Sequence, residues 1–105
     1  MIKVSIHYPN AEGCRFDTDY YLNTHMPMAI AKLSPALKGV SVDIGLSGAL
    51  PDTPPPYAAV CHLLFETAET FYGAFMPNAE ALQGDIPNYT DIASVIQISD
   101  VKISQ

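Results

Sequence analysis

A ten-residue pattern occurs twice in this chain, fifty residues apart. Residues 18–27 read TDYYLNTHMP and residues 68–77 read AETFYGAFMP, so an aromatic residue and a Met-Pro pair recur at matching positions. In each copy the apolar residues have helical spacing, and an alternating apolar stretch typical of a strand precedes it. Two strand–helix units of this kind constrain the fold strongly, because the apolar face of each helix must pack on a sheet.

Alternating segments lie before and after both predicted helices. The order is therefore βαββαβ, the ferredoxin-like split βαβ arrangement, an α+β fold with a four-stranded antiparallel sheet and two helices on one face. In the last predicted strand the alternation changes parity after Ile98, which indicates a bulge or a strand end that leaves its own sheet. The predicted strands are residues 2–8, 40–47, 57–65 and 92–103.

Composition limits the possible partners. A length of 105 residues suits a single domain over residues 1–105, and 49% apolar against 15% charged residues is rich enough to predict a subunit interface. A net charge of −6 with scattered basic residues argues against nucleic acid. Because there is neither a signal peptide nor an apolar run of about 18 residues, we expect a cytoplasmic protein with no membrane partner. Cys14 and Cys61 are expected to be free thiols.

His25 is the main candidate for chemistry. It stands where the second copy of the pattern has Phe75, so a titratable ring replaces an apolar one. An ordinary pKa of about 6.5 suits a general acid or base, or a group that holds a ligand. Tyr21 lies one helical turn before His25 and Tyr20 is adjacent, so either phenol could bond an oxygen that gains charge. The alternative is a structural histidine beside the helix break at Pro27, with tyrosine rings that simply pack.

The candidate ligand contacts are mostly apolar. His62 shares a predicted strand face with Val60 and Leu64, where it could line an enclosed cavity or be a buried histidine bonded to a backbone or hydroxyl group. Met28, Phe65 and Phe75 fit a core, but such residues also line pockets between helices and sheet. The histidines lack metal-ligand spacing, so no metal is predicted. There is no G-x-G-x-x-G, P-loop or C-x-x-C-H motif, so no cofactor is predicted either.

The segment F-x-x-x-Y-Y-x-x-x-H-x-P-M at residues 16–28 resembles the EthD family, named after a protein of ethyl tert-butyl ether degradation. That family typically carries an aromatic residue, then Tyr-Trp, then His-x-Pro-Leu at this spacing. Here Tyr21 stands where Trp is common, and Met28 where Leu is common. The resemblance continues through Pro-Pro-Pro-Tyr at residues 54–57 and Asp-x-x-Asn-aromatic-Thr-Asp at residues 85–91, and so spans nearly the whole chain.

The resemblance implies a dimeric α/β barrel, a homodimer of two ferredoxin-like subunits with their sheets face to face and their helices outside. It also implies a cavity between helices and sheet for small aromatic, lactone or polyketide-like molecules. Tyr57 and Tyr89, which lie in the resembling segments, join the candidate ligand contacts. Members of the wider superfamily include cofactor-free isomerases, decarboxylases, cyclases and monooxygenases, as well as haem-degrading enzymes.

Three hypotheses of function follow. The first is a cofactor-independent isomerase, decarboxylase or monooxygenase-type enzyme in degradation or secondary metabolism, which acts on a hydrophobic, ring-bearing small molecule through His25. The second is a non-catalytic ligand-binding or accessory protein for a partner oxidase. The third is a haem-binding or haem-degrading protein that uses one histidine.

Overall fold

The computed structural model describes residues 1–105 and contains a four-stranded antiparallel sheet. Its spatial order is β2-β3-β1-β4, and every neighbouring pair is antiparallel. This arrangement confirms the predicted ferredoxin-like α+β fold. The strands are β1 (Ile2–Pro9), β2 (Gly39–Ile44), β3 (Tyr57–Phe65) and β4 (Val95–Asp100).

Two helical segments lie on one face of the sheet, as expected. The first, α1, occupies residues 18–33 and joins an α-turn (Thr18–Tyr20), a π-helical turn (Tyr21–His25) and an α-helix (Met26–Leu33). The second, α2, occupies residues 68–84 and joins Ala68–Phe75, a 3-10 turn at Met76–Asn78 and Ala79–Gly84. A further 3-10 turn at Ile86–Asn88 leads toward β4.

Local sequence explains where both helices begin. The Asp17 side chain accepts the N–H of Tyr20 at 3.0 Å, which satisfies one of the unpaired donors of the first turn of α1. Thr67 and Thr70 form a reciprocal capping box at the start of α2. Both caps lie where the sequence predicts a helix start.

The two Met-Pro pairs explain why both helices are irregular. Proline has no N–H, and its ring crowds the carbonyl four residues earlier, so a regular α-helix does not continue through it. In α1 the π turn comes before Pro27, and the Met26 N–H bonds the carbonyl of Tyr21, five residues back. In α2 a tighter 3-10 turn contains Pro77. The helix break expected at Pro27 is confirmed, and Pro77 disturbs α2 in a similar way.

The core lies between the helices and one face of the sheet. Strand pairing places Val4 opposite Leu63 and Tyr8 opposite Ala59, and all four are buried. Strand β3 is a central strand of the sheet, since it lies between β1 and β2. Its second face is only partly buried, because no helix covers that side of the sheet.

Strand β4 is shorter than predicted and ends at Asp100. The next residue, Val101, still donates its N–H to the carbonyl of Met1, but Ile103 is 85% exposed. The parity change in the sequence therefore marks the end of the strand. No helix has both the length and the apolar character needed to span a bilayer.

Candidate functional site

An apolar cavity of about 310 Å³ lies between the helices and the sheet. Of the 21 residues that line it, 18 are hydrophobic, and the polar ones are His25, Gln83 and Ser94. Its volume falls at the lower end of the range for small-molecule pockets, which combine apolar walls with a few polar groups. The cavity therefore suits a small apolar molecule that carries a polar atom.

His25 lies at the wall of this cavity and is held there by Asp85. Its Nδ1 is 2.9 Å from Oδ2 of Asp85, and the histidine is 7% exposed. Since a carboxylate can only accept, Nδ1 carries the hydrogen and Nε2 is the free acceptor of the neutral ring. Nε2 forms no hydrogen bond, and no fully buried side-chain nitrogen or oxygen lacks a partner, so Nε2 is accessible from the cavity.

The carboxylate of Asp85 accepts hydrogen bonds on both oxygens. The Tyr20 hydroxyl donates to Oδ1 at 2.6 Å, and the Asn88 amide donates to the same oxygen at 3.0 Å. Desolvation by burial pushes the pKa of Asp85 upward, but the hydrogen bonds from Tyr20, Asn88 and His25 outweigh it and hold the pKa below its usual range. Asp85 is therefore ionised at neutral pH and is a charge partner for a protonated His25.

Tyrosine rings surround the imidazole of His25. The Tyr21 ring stacks on it at a centroid distance of 5.7 Å, and the Tyr89 ring lies 4.7 Å away. The hydroxyls of Tyr8 and Tyr89 form a buried hydrogen bond of 2.8 Å. Burial raises the pKa of Tyr8, Tyr21 and Tyr89, so all three hydroxyls stay protonated at neutral pH.

Four of the predicted site residues line the cavity: His25, Tyr21, Phe75 and Tyr89. His25 and Phe75, the equivalent positions of the repeated pattern, thus line the same cavity from two different helices. Tyr20 does not line the cavity, because its hydroxyl points to Asp85 behind the imidazole. It contacts the carboxylate that holds His25.

Three other predicted contacts lie away from the cavity. Phe65 is fully buried, with its ring 5.2 Å from that of Phe71. Met28 faces a groove on the outer side of α1. Tyr57 packs at 5.0 Å on His7, on the uncovered face of the sheet. The structure therefore corrects their placement at a cavity wall.

His62 also points away from the cavity, which corrects the expectation that it could be one of the residues lining it. Strand residues alternate between faces, and since Cys61 and Leu63 line the cavity, His62 lies on the opposite face. Its Nδ1 is 2.9 Å from the Ser5 hydroxyl, and desolvation together with nearby Lys3 lowers the pKa of His62. His62 thus matches the alternative of a histidine bonded to a hydroxyl group.

Cys61 lines the cavity but is not an activated nucleophile. Burial raises the pKa of its thiol to about 11, so the thiolate is scarce at neutral pH. Both Cys61 and Cys14 are free thiols, as expected. No three His, Cys, Asp or Glu side chains form a group that could hold a metal ion.

Asp85 is the residue of the site that the sequence analysis did not select for catalysis. It lies sixty residues from His25, so no local spacing connects the two. The available signal is the Asp-x-x-Asn-aromatic segment, in which Asp85 and Asn88 bind each other and Tyr89 lines the cavity. The motif groups Asp85, Asn88 and Tyr89, but it does not indicate that Asp85 contacts His25 rather than another histidine.

The fold and the cavity together define a class of ferredoxin-like α+β proteins that enclose an apolar site between the helices and the sheet. A family model described as the EthD domain matches residues 15–93. The chain therefore belongs to the EthD family, which confirms the resemblance seen in residues 16–28. No match is found among curated proteins.

Solved structures support the same assignment. An EthD-like protein from Ralstonia eutropha JMP134 is 44% identical with a TM-score of 0.95, and the match covers 99% of this chain and 94% of that one. An EthD family protein from Bacillus halodurans C-125 is 20% identical with a TM-score of 0.74, covering 97% and 99% respectively. SnoaB, a cofactor-independent oxygenase from Streptomyces nogalater, is 12% identical with a TM-score of 0.59, covering 98% and 94%. The last two likenesses concern the fold alone.

Proposed function

We propose that the protein binds a hydrophobic, ring-bearing small molecule in the cavity and that His25 removes a proton from it. The protein would then be a cofactor-independent enzyme of the isomerase, decarboxylase or monooxygenase type. The observation that carries this proposal is the His25–Asp85 pair, which puts a hydrogen-bonded imidazole at the wall of an otherwise apolar cavity.

In this proposal the base is Nε2 of His25. It takes a proton from an acidic O–H or C–H of the ligand, and the imidazolium that forms is stabilised by the carboxylate of Asp85, 2.9 Å from Nδ1. Such an ion pair interacts more strongly in a site that excludes water than on the surface. Asp85 also keeps the ring in the tautomer that leaves Nε2 free.

The tyrosine hydroxyls would bind the oxygen of the ligand that gains charge. In the Tyr8–Tyr89 pair one hydroxyl donates to the other, which leaves the second hydrogen available for a ligand. Donors placed in advance where charge develops lower the barrier of a reaction. An enolate or phenolate formed in this way can take the proton back at another carbon, which isomerises the ligand or, where that carbon bears a carboxylate, allows the loss of carbon dioxide. It can also react with oxygen. SnoaB shows that the fold can accommodate cofactor-independent oxygenation.

Binding of 2-naphthol tests the proposal, because its absorption changes when the hydroxyl ionises. We expect the wild-type protein to bind 2-naphthol and to display the naphtholate band at a lower pH than free 2-naphthol does. The variant His25→Ala should bind it without this shift and should keep the circular dichroism of the wild type. His7→Ala is the matched control, since His7 packs on Tyr57 on the uncovered sheet face.

The outcome also separates the first two hypotheses. Bound 2-naphthol that ionises no more readily than free 2-naphthol, in a protein that retains its fold, contradicts a base at His25. Tight binding without ionisation would favour the non-catalytic accessory protein, because the cavity would then hold its ligand unchanged.

A single domain over residues 1–105 and a cytoplasmic location remain predictions of the sequence.

We also infer that the protein works as a homodimer. Ile96 and Ile98 line the cavity although they are 54% and 37% exposed, because β4 is an edge strand. An exposed apolar edge is a surface that proteins usually cover. A second copy that packs along β4 would close that side of the cavity.

Sedimentation velocity at micromolar concentration tests this inference. We expect a dimer for the wild type and a shift to monomer for Ile96→Lys, which places a charge on the apolar edge. Leu46→Lys is the control, since Leu46 is 92% exposed in the loop after β2. A wild-type protein that stays monomeric with intact circular dichroism would contradict the inference.

A further inference from the structure

The His25–Asp85 pair connects two spaces of opposite character. His25 borders the apolar cavity, whereas Asp85 borders a polar groove on the other side of α1. The groove also contains the charged side chains of Lys32 and Glu80 and the amide of Asn88. The 2.9 Å contact between Nδ1 and Oδ2 is therefore a polar link between a space that suits an apolar ligand and a space open to solvent.

The same two chain segments form both sides of the wall between these spaces. In α1, Met26, Ala29 and Leu33 face the cavity while Met28 and Lys32 face the groove. At the end of α2 and in the turn that follows it, residues 83, 86 and 89 face the cavity while residues 84, 85 and 88 face the groove. A single helix and a single turn therefore separate the cavity from the groove, and the side that faces the cavity is mainly apolar.

We propose that His25 and Asp85 form a proton passage through this wall, so that the base facing the cavity exchanges its proton with water in the groove while a ligand fills the cavity. The inference rests on the proposed function for the role of His25 as the base. It adds the route by which that base is protonated and deprotonated, and it assigns Asp85 a second role besides orienting the ring.

Each proton transfer is balanced. Nε2 takes a proton from the ligand and the imidazolium forms; Nδ1 then gives its proton to Oδ2 of Asp85, leaving a neutral ring and a carboxylic acid. The acid releases that proton to water in the groove. The return steps run in the opposite order, with Asp85 reprotonating Nδ1 while Nε2 delivers its proton to the product. Because the pKa of Asp85 is held low, the protonated carboxyl gives up its proton readily.

A passage on the groove side solves a problem that the cavity creates. A ligand that fills this cavity of about 310 Å³ leaves little room for water beside Nε2. Apart from the ligand, the imidazolium then has Asp85 as its proton acceptor, on the Nδ1 side. The groove, lined by Lys32, Glu80 and Asp85, is open to solvent at the other end of the pair.

The exchange of the His25 Nδ1 proton with water, followed by ¹⁵N-edited NMR, tests the passage without any turnover. Benzene is the probe that fills the cavity, and the methyl shifts of Leu63 and Ile96 report its occupancy. In the wild type we expect the exchange rate with the cavity filled to stay within about twofold of the rate with the cavity empty. If the Nδ1 proton exchanges too fast for its rate to be resolved in the benzene-filled protein, that result also supports the passage.

Asp85→Asn keeps an oxygen that accepts from Nδ1 but cannot carry a proton. In the benzene-filled protein we expect this variant to exchange the Nδ1 proton at least about tenfold more slowly than the wild type. Glu80→Gln is the matched control, because it removes a groove carboxylate that does not contact His25, and its rate should equal that of the wild type. Exchange in Asp85→Asn that is as fast as in the wild type would overturn the role of Asp85.

The wild type alone decides the question if Asp85→Asn does not fold. A rate that falls in step with benzene occupancy shows that protons reach His25 through the cavity, which overturns the inference. That result leaves the proposed function intact if 2-naphthol is still ionised at His25. Conversely, an unchanged rate together with failed ionisation of 2-naphthol supports the passage and refutes the base.

Discussion

The imidazole of His25 and the carboxylate of Asp85 are sixty residues apart in the chain and 2.9 Å apart in space. The contact depends on the π turn, in which Tyr21 and His25 are both buried and stack at an interplanar angle of 13°. Single π turns within α-helices occur frequently at functional sites. Here the turn ends two residues before Pro27, so a break required by proline also helps to orient the candidate base.

Replacing Asp85 should make the free energy of unfolding depend less on pH in the acid range. The folded pKa of Asp85 lies below the unfolded value of about 3.9, so its contribution is fully present above that value and is lost as the pH falls through the folded pKa. The difference in the free energy of unfolding between the wild type and Asp85→Asn should therefore be constant at neutral pH and shrink in acid. Urea unfolding at a series of pH values measures it.

The control for that series is Asp52→Asn. Asp52 is exposed and has a φ of 63°, which Asn tolerates as well as Asp, so the substitution leaves the backbone unstrained. Its difference from the wild type should not follow the pattern of Asp85. A difference for Asp85→Asn that does not shrink as the pH falls below about 3.9 would contradict the assignment of Asp85 as a stabilising carboxylate.

Removing the Tyr20 hydroxyl should weaken the hold on Asp85. Tyr20→Phe keeps the ring but deletes the 2.6 Å hydrogen bond to Oδ1, so the pKa of Asp85 should rise relative to the wild type. The acid loss of stability should then begin at a higher pH, as seen by urea unfolding. Tyr72→Phe is the control, since Tyr72 is 46% exposed and its hydroxyl forms no hydrogen bond within the protein. If the stability of both variants falls over the same pH range, the hydrogen bond from Tyr20 does not lower the pKa of Asp85.

Filling the cavity should exclude the ligand. Ala29 is 7% exposed and lines the cavity, so Ala29→Leu adds three carbon atoms to the space that 2-naphthol would occupy. We expect binding at least about tenfold weaker, which corresponds to ~1.4 kcal/mol. Titration calorimetry measures it. Ala31→Leu, an exposed change in the same helix, should bind as the wild type does, and equal affinity for both variants would place the ligand elsewhere.

The two thiols should differ in reactivity. Cys61 is 1% exposed and burial raises its pKa to about 11, whereas Cys14 lies in a partly exposed loop. At about pH 8 the reagent 5,5′-dithiobis(2-nitrobenzoic acid) should label one thiol in the folded protein and two after denaturation. Cys14→Ser should remove the fast reaction. Rapid labelling of that variant would show that the cavity wall at Cys61 opens readily.

Features that depend on neighbouring residues could be predicted from the sequence. The caps at Asp17 and Thr67, the irregular turns at Pro27 and Pro77, and the strands with alternating apolar residues are fixed by interactions over a few positions. The repeated pattern then allowed few arrangements other than a split βαβ fold. The motif around His25 also identified the correct family.

The sequence by itself thus determined the fold and the family, because periodicity, capping and proline act locally along the chain, and it made His25 the main candidate for chemistry. Tertiary structure decided which residues accompany His25. Alternation shows that Cys61 and His62 point to opposite faces, but only the packed helices distinguish the cavity side from the uncovered side. Asp85 reaches His25 only when α1 and the turn after α2 pack together, since a contact across sixty residues leaves no periodic trace in the chain.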